Sequence, residues 1–259
     1  MRPHARTVVL ALLLGSAAAL QAQDSVVAAA PHRLSVDTTR MRPFARSYDM
    51  LVHRGDSTIA IGARDVSLAA TVYAGNPAWL IVDTHTASTV AVTESLYVSP
   101  QLRPLHWAAS QGLARMAAEF VGDSVYGAVS TPVSRQNLVM AGAPDIVPDA
   151  AFAEVLLQAV PLATAWSDSA TVVLIDAASH TLAPAQFAVV SEEELASDST
   201  TAARPVWVVT LRSDSAHIFF WVDKSDGSVL RVLQQLPAHD GSAIEFRRRE
   251  PPSISIPPD

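Results

Sequence analysis

The stretch HIFFWVDKSDGSVLRVL, His217–Leu233, decides the fold of this chain. Two runs of β-branched, aromatic and other apolar residues flank a short charged segment, which is typical of two antiparallel strands joined by a turn. A two-residue turn at Asp226 and Gly227 and a four-residue turn over Lys224–Gly227 both fit the pattern. The two registers differ by two residues, so each side chain keeps its face in either one.

One face of this hairpin carries Phe219, Trp221, Leu230 and Val232. We prefer the four-residue turn because it places Trp221 opposite Leu230 and Phe219 opposite Val232, so that apolar partners meet across the strands. Together with Trp207 of the preceding strand, these four residues are predicted to line the concave interior of a curved sheet and to contact a ligand there. Half-buried strands also favour aromatic residues in a plain core, which is the alternative interpretation.

Similar strand patterns recur on both sides of the hairpin. Upstream lie SYDMLVHRGDSTIAIG, with a turn at Arg54–Asp56, and VSLAATVYAGNPAWLIVDTHTASTVAVTESLYV, with breaks at Gly75–Pro77 and Thr84–Ser88. GLARMAAEFVGDSVYGAVSTP follows, with a turn at Gly122 and Asp123. ATVVLIDA, PAQFAVVS, RPVWVVTLR and SAIEFRRR continue the pattern. The spacing predicts a mainly β domain of the α+β class, built on one long antiparallel sheet.

One segment breaks the strand pattern. In PDAAFAEVLLQAVP, apolar residues stand at offsets 0, 3, 4, 7 and 8 from Phe152, which is the stripe of an amphipathic helix. Pro148 or Asp149 suits its beginning, and Pro161 suits its end. A helix with one apolar face needs a surface to cover, so we expect the sheet to wrap around one or two helices as a half-barrel.

Composition divides the chain into four segments. We predict a signal peptide at 1–22, a linker at 23–46, a half-barrel domain at 47–248 and a disordered, proline-rich tail at 249–259. Within the domain, SEEELASDSTTAA, 191–203, is predicted to be an acidic loop. The chain of 259 residues is 49% hydrophobic, which is enough to bury one sizeable core.

The N-terminus indicates export. Arg2 and Arg6 precede an apolar run, Val8–Leu14, and small residues follow, which is the order found in secretory signal peptides. Cleavage after Ala19 or after Ala22 fits, and the site stays open. The run is shorter than the roughly 20 residues that a membrane-spanning helix needs. The mature protein is therefore expected in the periplasm or outside the cell.

The sequence contains no cysteine. A disulfide, a thiolate nucleophile, a cysteine metal ligand and a lipid anchor on cysteine are therefore excluded, so we expect no lipoprotein. The net charge is -7, and the basic residues are scattered apart from Arg247–Arg249. No nucleic-acid partner is expected.

The order of these elements resembles a known superfamily. A Tyr-led first hairpin ending in glycine (YDMLVHRGDSTIAIG), a central helix running into VPLA and a late Trp-bearing hairpin (FFWVDKSDGSVLRV) are similar to the half-barrel periplasmic lipoprotein carriers, LolA and LolB. The closer likeness is to uncharacterised exported domains of unknown function with that architecture. The resemblance implies an apolar concave face for a lipid, another hydrophobic ligand or an acylated protein partner. The chain lacks the anchoring cysteine of LolB, and its clearest helix lies mid-chain, unlike that of LolA.

A serine esterase is the distant alternative. Gly122-Asp123-Ser124 resembles the first block of GDSL-type esterases, and Asp214 and His217 have the spacing of their last block. Together they would form a triad of Ser124, His217 and Asp214. The surrounding β-pattern and the missing Gly-x-Asn-Asp block argue against it, and a hairpin turn explains Asp214 equally well. We therefore predict that the protein is not an enzyme.

Metal and cofactor sites are not predicted. The histidines are dispersed, with no His-x-x-x-His pair on a helix. Asp83 and His85 share a face of one strand, which we interpret as a surface pair. Two functions remain: a non-catalytic binding or carrier protein with an apolar ligand on its concave face, and a structural or envelope-assembly protein whose interior is filled by its own side chains.

Overall fold

The computed structural model describes residues 34–87, 90–141, 145–175, 180–196, 203–214, 216–236 and 241–249. Within them the chain forms fifteen strands, one α-helix and a short 3-10 turn. The strands are β1 (Phe44–Arg54), β2 (Ser57–Tyr73), β3 (Asn76–Ala87), β4 (Val90–Val98), β5 (Pro104–Gln111), β6 (Ala114–Val121), β7 (Ser124–Ser130), β8 (Arg135–Met140), β9 (Ile146–Val147), β10 (Ser167–Ile175), β11 (His180–Leu195), β12 (Arg204–Arg212), β13 (His217–Asp223), β14 (Val229–Gln235) and β15 (Ala243–Arg248). The helix, α1, is Ala150–Ala159, and the 3-10 turn is Thr38–Arg40.

All fifteen strands belong to one sheet, in the order β8-β7-β6-β5-β4-β3-β2-β1-β15-β14-β13-β12-β11-β10-β9. Neighbours are antiparallel except β9 and β10, and the pairing of β1 with β15 joins the two halves of the chain. The sheet therefore ends at β8 and β9, which follow each other in the chain. β8 also approaches β11, close to the other end, so the sheet is curled but not closed. This confirms the predicted mainly β fold with one long curved antiparallel sheet.

The helix occupies one face of the sheet, which we call the inner face. The Asp149 side chain caps its N-terminus by accepting a hydrogen bond from the backbone N–H of Phe152 at 2.7 Å. Val160 is extended, as expected for a residue before proline, and ends the helix. The predicted helix is confirmed. The amphipathic pattern predicts one polar face toward solvent, but every residue from 151 to 159 is buried. No helix of the described residues is long and apolar enough to cross a membrane.

The segment before β1 packs against the end of the helix. The backbone N–H of Asp37 donates to the Ala159 carbonyl at 2.7 Å, and the Arg40 guanidinium donates to the Val160 carbonyl at 3.0 Å. Met41 is almost fully buried. The described part of the segment predicted as a linker is therefore structured.

The sheet extends slightly beyond the residues 47–248 predicted for the domain. β1 begins at Phe44, three residues before the predicted start of the domain. At the other end Arg249 still bonds to β1, through its backbone N–H to the Ser47 carbonyl at 2.8 Å. The predicted signal peptide, 1–22, and the predicted tail beyond Arg249 lie outside the described residues.

The turn between β13 and β14 has four residues, as preferred from the sequence. The backbone N–H of Asp223 donates to Ser228 at 2.8 Å, and that of Gly227 donates to Asp223 at 2.9 Å. The φ of Gly227 is +73°, a conformation that favours glycine. Lys224–Gly227 therefore closes the hairpin.

The cross-strand pairs predicted beyond this turn are wrong. Val222 pairs with Val229, but Trp221 pairs with Arg231, because β14 contains a one-residue bulge at Leu230. A bulge places two residues of one strand opposite one of the other and shifts the alternation of faces. Val229 and Val232 consequently share the inner face.

The predicted acidic loop is wrong over its first five residues. β11 continues to Leu195 and pairs with β12, with Glu192 opposite Trp207 and Glu193 opposite Val206. The acidic side chains remain exposed while the backbone completes the ladder, so their polarity did not exclude a strand. Residues 197–202 of that loop lie outside the described residues.

Candidate functional site: two cavities beside the helix

The first cavity, which we call the apolar cavity, has a volume of about 270 Å³. It lies between α1, the segment before β1 and the turns that join β4 to β5 and β6 to β7. Arg103 and Asp123, among its lining residues, are exposed to solvent. The apolar part of its lining includes Leu34, Val36, Leu102, Phe120, Phe152 and Leu156.

The second cavity, which we call the polar cavity, has a volume of about 150 Å³. Val147, just before α1, lines both cavities. One wall is apolar and comes from Val172, Val173, Leu211, Ile218 and Phe246. The other wall carries Arg64, Asp83, His85, Glu94, Trp107 and Asp149.

Strand register gathers the polar side chains. Arg64 on β2 stands opposite His85 on β3, and Asp83 on β3 stands opposite Glu94 on β4. Side chains directly opposite each other share a face of the sheet. Trp107 comes from β5, the next strand of the same row, and Asp149 comes from the start of α1. Side chains far apart in sequence therefore meet at the N-terminus of the helix.

Arg64 is the centre of a closed network of hydrogen bonds. Its Nε and Nη2 donate to both oxygens of Asp83 at 2.8 to 3.0 Å, and its Nη1 donates to Glu154 of α1. The hydroxyl of Tyr48 donates to Glu154 Oε2 at 3.0 Å. All four side chains are buried. A buried charge requires such partners, so this network attaches the helix to the sheet.

The network shifts the pKa values of its members in opposite directions. Burial raises the pKa of Asp83, but the Arg64 guanidinium outweighs it and lowers the value to about 2. Burial would lower the pKa of Arg64, but Asp83 and Glu154 hold it well above its usual range. Burial and the nearby Glu154 carboxylate raise the pKa of the Tyr48 hydroxyl. The pair of Arg64 and Asp83 thus stays charged.

Two further carboxyl groups of the polar cavity have raised pKa values. Burial raises the pKa of Glu94 to about 8, and the neighbouring Asp149 and Asp83 carboxylates add to the effect. Burial raises the pKa of Asp149 to about 6, against the lowering effect of its hydrogen bond from the Phe152 N–H. Glu94 therefore retains a proton at neutral pH, when its carboxyl group can both donate and accept hydrogen bonds.

Among the described residues, two ring nitrogens of the polar cavity have no partner with hydrogen-bond geometry: His85 Nδ1 and Trp107 Nε1. The other nitrogen of His85, Nε2, lies 3.1 Å from Asp83 Oδ2. The His85 ring also packs edge-on against Phe246, at 5.6 Å between centroids. Trp107 is 5% exposed. Unpaired buried polar groups are uncommon, so both nitrogens require an explanation.

Three of the five predicted ligand-binding residues lie on the face opposite α1, which we call the outer face. Phe219, Trp221 and Leu230 form or pack against a small separate cluster with Val206 and Val208. The prediction that the Phe219 and Trp221 face points into the interior is wrong. The alternation of β13 instead directs Ile218, Phe220 and Val222 toward the helix, where they belong to the main core.

Trp207 and Val232 do lie on the inner face, in or against the main core. Neither residue lines the apolar cavity or the polar cavity. The Lys224 ammonium lies 4.0 Å from the centre of the Trp207 ring, which ties this indole to the hairpin turn. A role of these residues in binding stays a prediction.

The structure does not bring together the three residues of the alternative triad. Ser124 begins β7 and His217 begins β13, with eight strands between these two in the sheet. His217 Nδ1 lies 3.0 Å from Gln235 Oε1. Asp214 is exposed in the connection before β13.

The interpretation of Asp83 and His85 as a surface pair is wrong. Asp83 is 4% exposed, the His85 side chain is 12% exposed, and both line the polar cavity. Within the described part of the chain, no group of three or more His, Asp or Glu side chains is arranged to hold a metal ion. Sequence reasoning missed Arg64, Glu94 and Trp107. Each is a single charged or aromatic residue on a different strand, and no local motif distinguishes it.

The chain is similar to a DUF1329 family protein from Desulfovibrio piger whose crystal structure is known. The similarity covers 82% of this chain and 87% of that chain, with 10% sequence identity and a TM-score of 0.30. No family model matches the chain, and no curated protein matches it.

Proposed function

We propose that this protein is a non-catalytic binding protein that takes an apolar ligand with a single hydrocarbon chain into the apolar cavity. The observation that carries the proposal is the volume of about 270 Å³ beside the helix, whose lining includes Leu34, Phe120, Phe152 and Leu156. Ligand cavities in proteins begin at about 300 Å³ and are mostly apolar with a few polar groups. The apolar cavity combines apolar side chains with the polar Gln101, Arg103, Asp123 and Asp145, and its volume lies just below that range.

The polar end of the ligand lies at the exposed Arg103 in this proposal. Arg103 and Asp123 are the charged, solvent-exposed residues of the lining. A guanidinium pairs well with a carboxylate or phosphate, whereas Asp123 repels one. The preferred ligand is therefore a fatty acid or an acyl chain whose anionic end reaches Arg103.

The proposal includes export to the periplasm or the cell exterior. It rests on the order of charged, apolar and small residues in 1–22 and on the absence of cysteine. N-terminal sequencing of the protein recovered from the periplasmic fraction tests this part. A chain that still begins at Met1 and stays with the cytoplasmic fraction would contradict it.

The ligand is tested by native mass spectrometry of the protein purified gently from its host, followed by thermal unfolding with dodecanoate. We expect a bound lipid in the spectrum and a rise in Tm with dodecanoate, because a ligand of the folded state stabilises it. Leu34→Trp should fill the cavity and weaken dodecanoate binding on the order of tenfold. Leu233→Trp makes the same change on the outer face and should leave binding unaltered. A ligand-free spectrum together with an unchanged Tm rejects the proposal.

A structural or envelope-assembly protein is the second candidate. The complete burial of α1 favours it, since the helix already occupies much of the inner face. In that case the apolar cavity is a packing defect, and Leu34→Trp raises Tm without any ligand because it fills empty space. The two candidates thus differ in dodecanoate binding by the wild type, which the first predicts and the second does not.

A further inference from the structure

The polar cavity contains polar groups that the buried network does not use. Arg64, Asp83 and Glu154 satisfy one another, and Tyr48 completes that set. His85 Nδ1 and Trp107 Nε1 remain without partners in the same cavity. The cavity therefore offers hydrogen bonds that no side chain of the described chain takes.

Trp107 determines that a ligand must present a hydrogen-bond acceptor to the cavity. Its indole N–H is a donor only, and the side chain is 5% exposed, so a buried unpaired N–H costs free energy until an acceptor meets it. The indole N–H interacts with the Glu94 carboxyl group and lowers its pKa, but this contact lies outside hydrogen-bond geometry, so a better-placed acceptor would still improve the pairing of Nε1. A ligand that supplies an oxygen to Trp107 removes this cost.

The remaining polar groups of the cavity require a donor. Asp149 caps the helix through its Oδ1, and its second carboxylate oxygen is also an acceptor. When Nε2–H of His85 donates to Asp83, the neutral ring presents Nδ1 as an acceptor. A hydroxyl group meets both demands, because it accepts from Trp107 and donates to His85 or Asp149.

Ionic ligands suit this cavity poorly. An anion would lie beside the carboxylates of Asp83 and Asp149. An ammonium group would face the buried Arg64 guanidinium and leave the Trp107 N–H unpaired. Like charges at short distance in a buried site repel strongly, so a neutral ligand is favoured.

The opposite wall takes the hydrocarbon part of such a ligand. Val172, Val173, Leu211 and Ile218 form it, and each is buried. We propose that the polar cavity is a second binding site, for a small neutral alcohol whose hydroxyl group bonds to Trp107 and His85 and whose alicyclic or branched frame lies on this wall. This site is independent of the function proposed for the apolar cavity.

Three probes that share one ring test the proposal: cyclohexanol, cyclohexylamine and cyclohexanecarboxylate. Each is titrated into the 15N-labelled full chain at neutral pH, and the indole N–H signals are followed by NMR. We expect cyclohexanol alone to give a saturable shift of the Trp107 signal, which the spectrum of Trp107→Phe assigns. If none of the three probes gives a saturable shift of the Trp107 signal, the proposal is overturned.

Matched variants locate the site. Trp107→Phe replaces the indole by a smaller aromatic ring without an N–H, so cyclohexanol should bind about three- to tenfold more weakly. Trp79→Phe makes the same change away from the cavity and should bind as the wild type does. Where Trp107→Phe fails to fold, Ala216→Val, which narrows the cavity at its edge, should abolish the shift of Trp107. Unchanged binding in a folded Trp107→Phe or Ala216→Val contradicts the proposal.

Leu34→Trp separates this site from the apolar cavity. We expect it to reduce dodecanoate binding and to leave the cyclohexanol shift of Trp107 unchanged. Loss of the cyclohexanol effect in Leu34→Trp would place the alcohol in the apolar cavity and overturn the second site. Failure of dodecanoate binding alone would reject only the function proposed for the first.

Discussion

Phe220 and Trp221 are adjacent on β13 but belong to two different environments. Phe220 points to the inner face, is 0% exposed and packs in the main core around α1. Trp221 points to the outer face, where its Nε1 donates to Glu193 at 2.9 Å and the Arg231 guanidinium lies 4.4 Å from its ring. Trp221, which the sequence predicted to contact a ligand, is thus held by charged side chains of the outer face.

Buried charged side chains on the two faces of the sheet differ in the partners that neutralise them. On the inner face, Arg64 and Glu154 are buried and satisfied by one another and by neighbouring residues. On the outer face, Glu245 is covered by His53, Arg231 and Arg247, whose own side chains are partly or mostly exposed. Glu245 keeps two of its three partners when one is removed, whereas Asp83 and Glu154 share Arg64, so losing that one partner costs more. Substitutions on each face measure this difference.

The largest effect is expected from Arg64→Met. It leaves the Asp83 and Glu154 carboxylates buried without their partner, which typically costs about 3 to 5 kcal/mol of the free energy of unfolding. Denaturant unfolding at neutral pH measures it. The matched change on the outer face is Arg231→Met, where the buried Glu245 carboxylate keeps His53 and Arg247 as partners, and we expect a clearly smaller loss. Equal losses for the two variants would remove the distinction between the faces.

Phe220→Ala should follow, with a loss of about 3 kcal/mol or more, because it opens a cavity in a fully buried part of the core. Phe219→Ala is the matched change on the outer face, and its half-buried ring should cost clearly less. The same unfolding measurement gives both values. A larger loss for Phe219 would contradict the assignment of the faces of β13.

The free energy of unfolding should depend on pH because of the Glu94 carboxyl group. Its pKa is raised by burial and by nearby carboxylates to about 8, above its value in an unfolded chain. The folded protein then holds a proton that the unfolded chain releases, so this contribution is complete in acid and is lost as the pH rises through about 8. Glu94→Gln should flatten the fall in stability between about pH 5 and 8, by up to about 1.4 kcal/mol per pH unit.

Unfolding curves at several pH values test this effect, with Glu193→Gln on the outer face as the control. Glu193 is exposed and bonds to Trp221 at the surface, so its substitution should change the slope much less. A slope that is the same in the wild type and in Glu94→Gln would show that Glu94 does not hold the proton.

The smallest effect is expected from Trp221→Leu, which removes the hydrogen bond to Glu193 and the contact with Arg231. At the edge of a small cluster these are together worth about 1 to 2 kcal/mol, including the smaller apolar side chain. Dodecanoate and cyclohexanol binding should stay as in the wild type, since Trp221 lines neither cavity. A loss of ligand binding in this variant would restore the outer face as a candidate site.

Much of the fold follows from local pattern. The helix between Pro148 and Pro161 and the turn at Lys224–Gly227 were both predictable, because proline, aspartate and glycine act on the backbone within a few residues. The continuation of β11 through Glu192 and Glu193 was not, because exposed strands tolerate acidic residues once a neighbouring strand supplies the hydrogen bonds.

The candidate site depended on contacts that no local pattern contains. Asp83 and His85 were recognised as sharing a face, but whether that face met solvent or the helix depended on where α1 packs. Glu94 and Trp107 come from separate strands, and Asp149 from the helix cap. Their convergence rests on the register of four strands and one helix, which the spacing of residues along the chain does not reveal.

The sequence by itself determined most of the strands, the antiparallel arrangement, and the helix α1 with its ends, because hydrophobic period and turn residues act locally. The tertiary structure decided which face of each strand is the inner one. A single bulge at Leu230 reassigned the partners of the late hairpin, and the closure of β1 against β15 brought the two halves of the chain around α1. The pairing of β1 with β15 creates the buried surroundings in which strand residues such as Arg64, Glu94 and Trp107 form a candidate site.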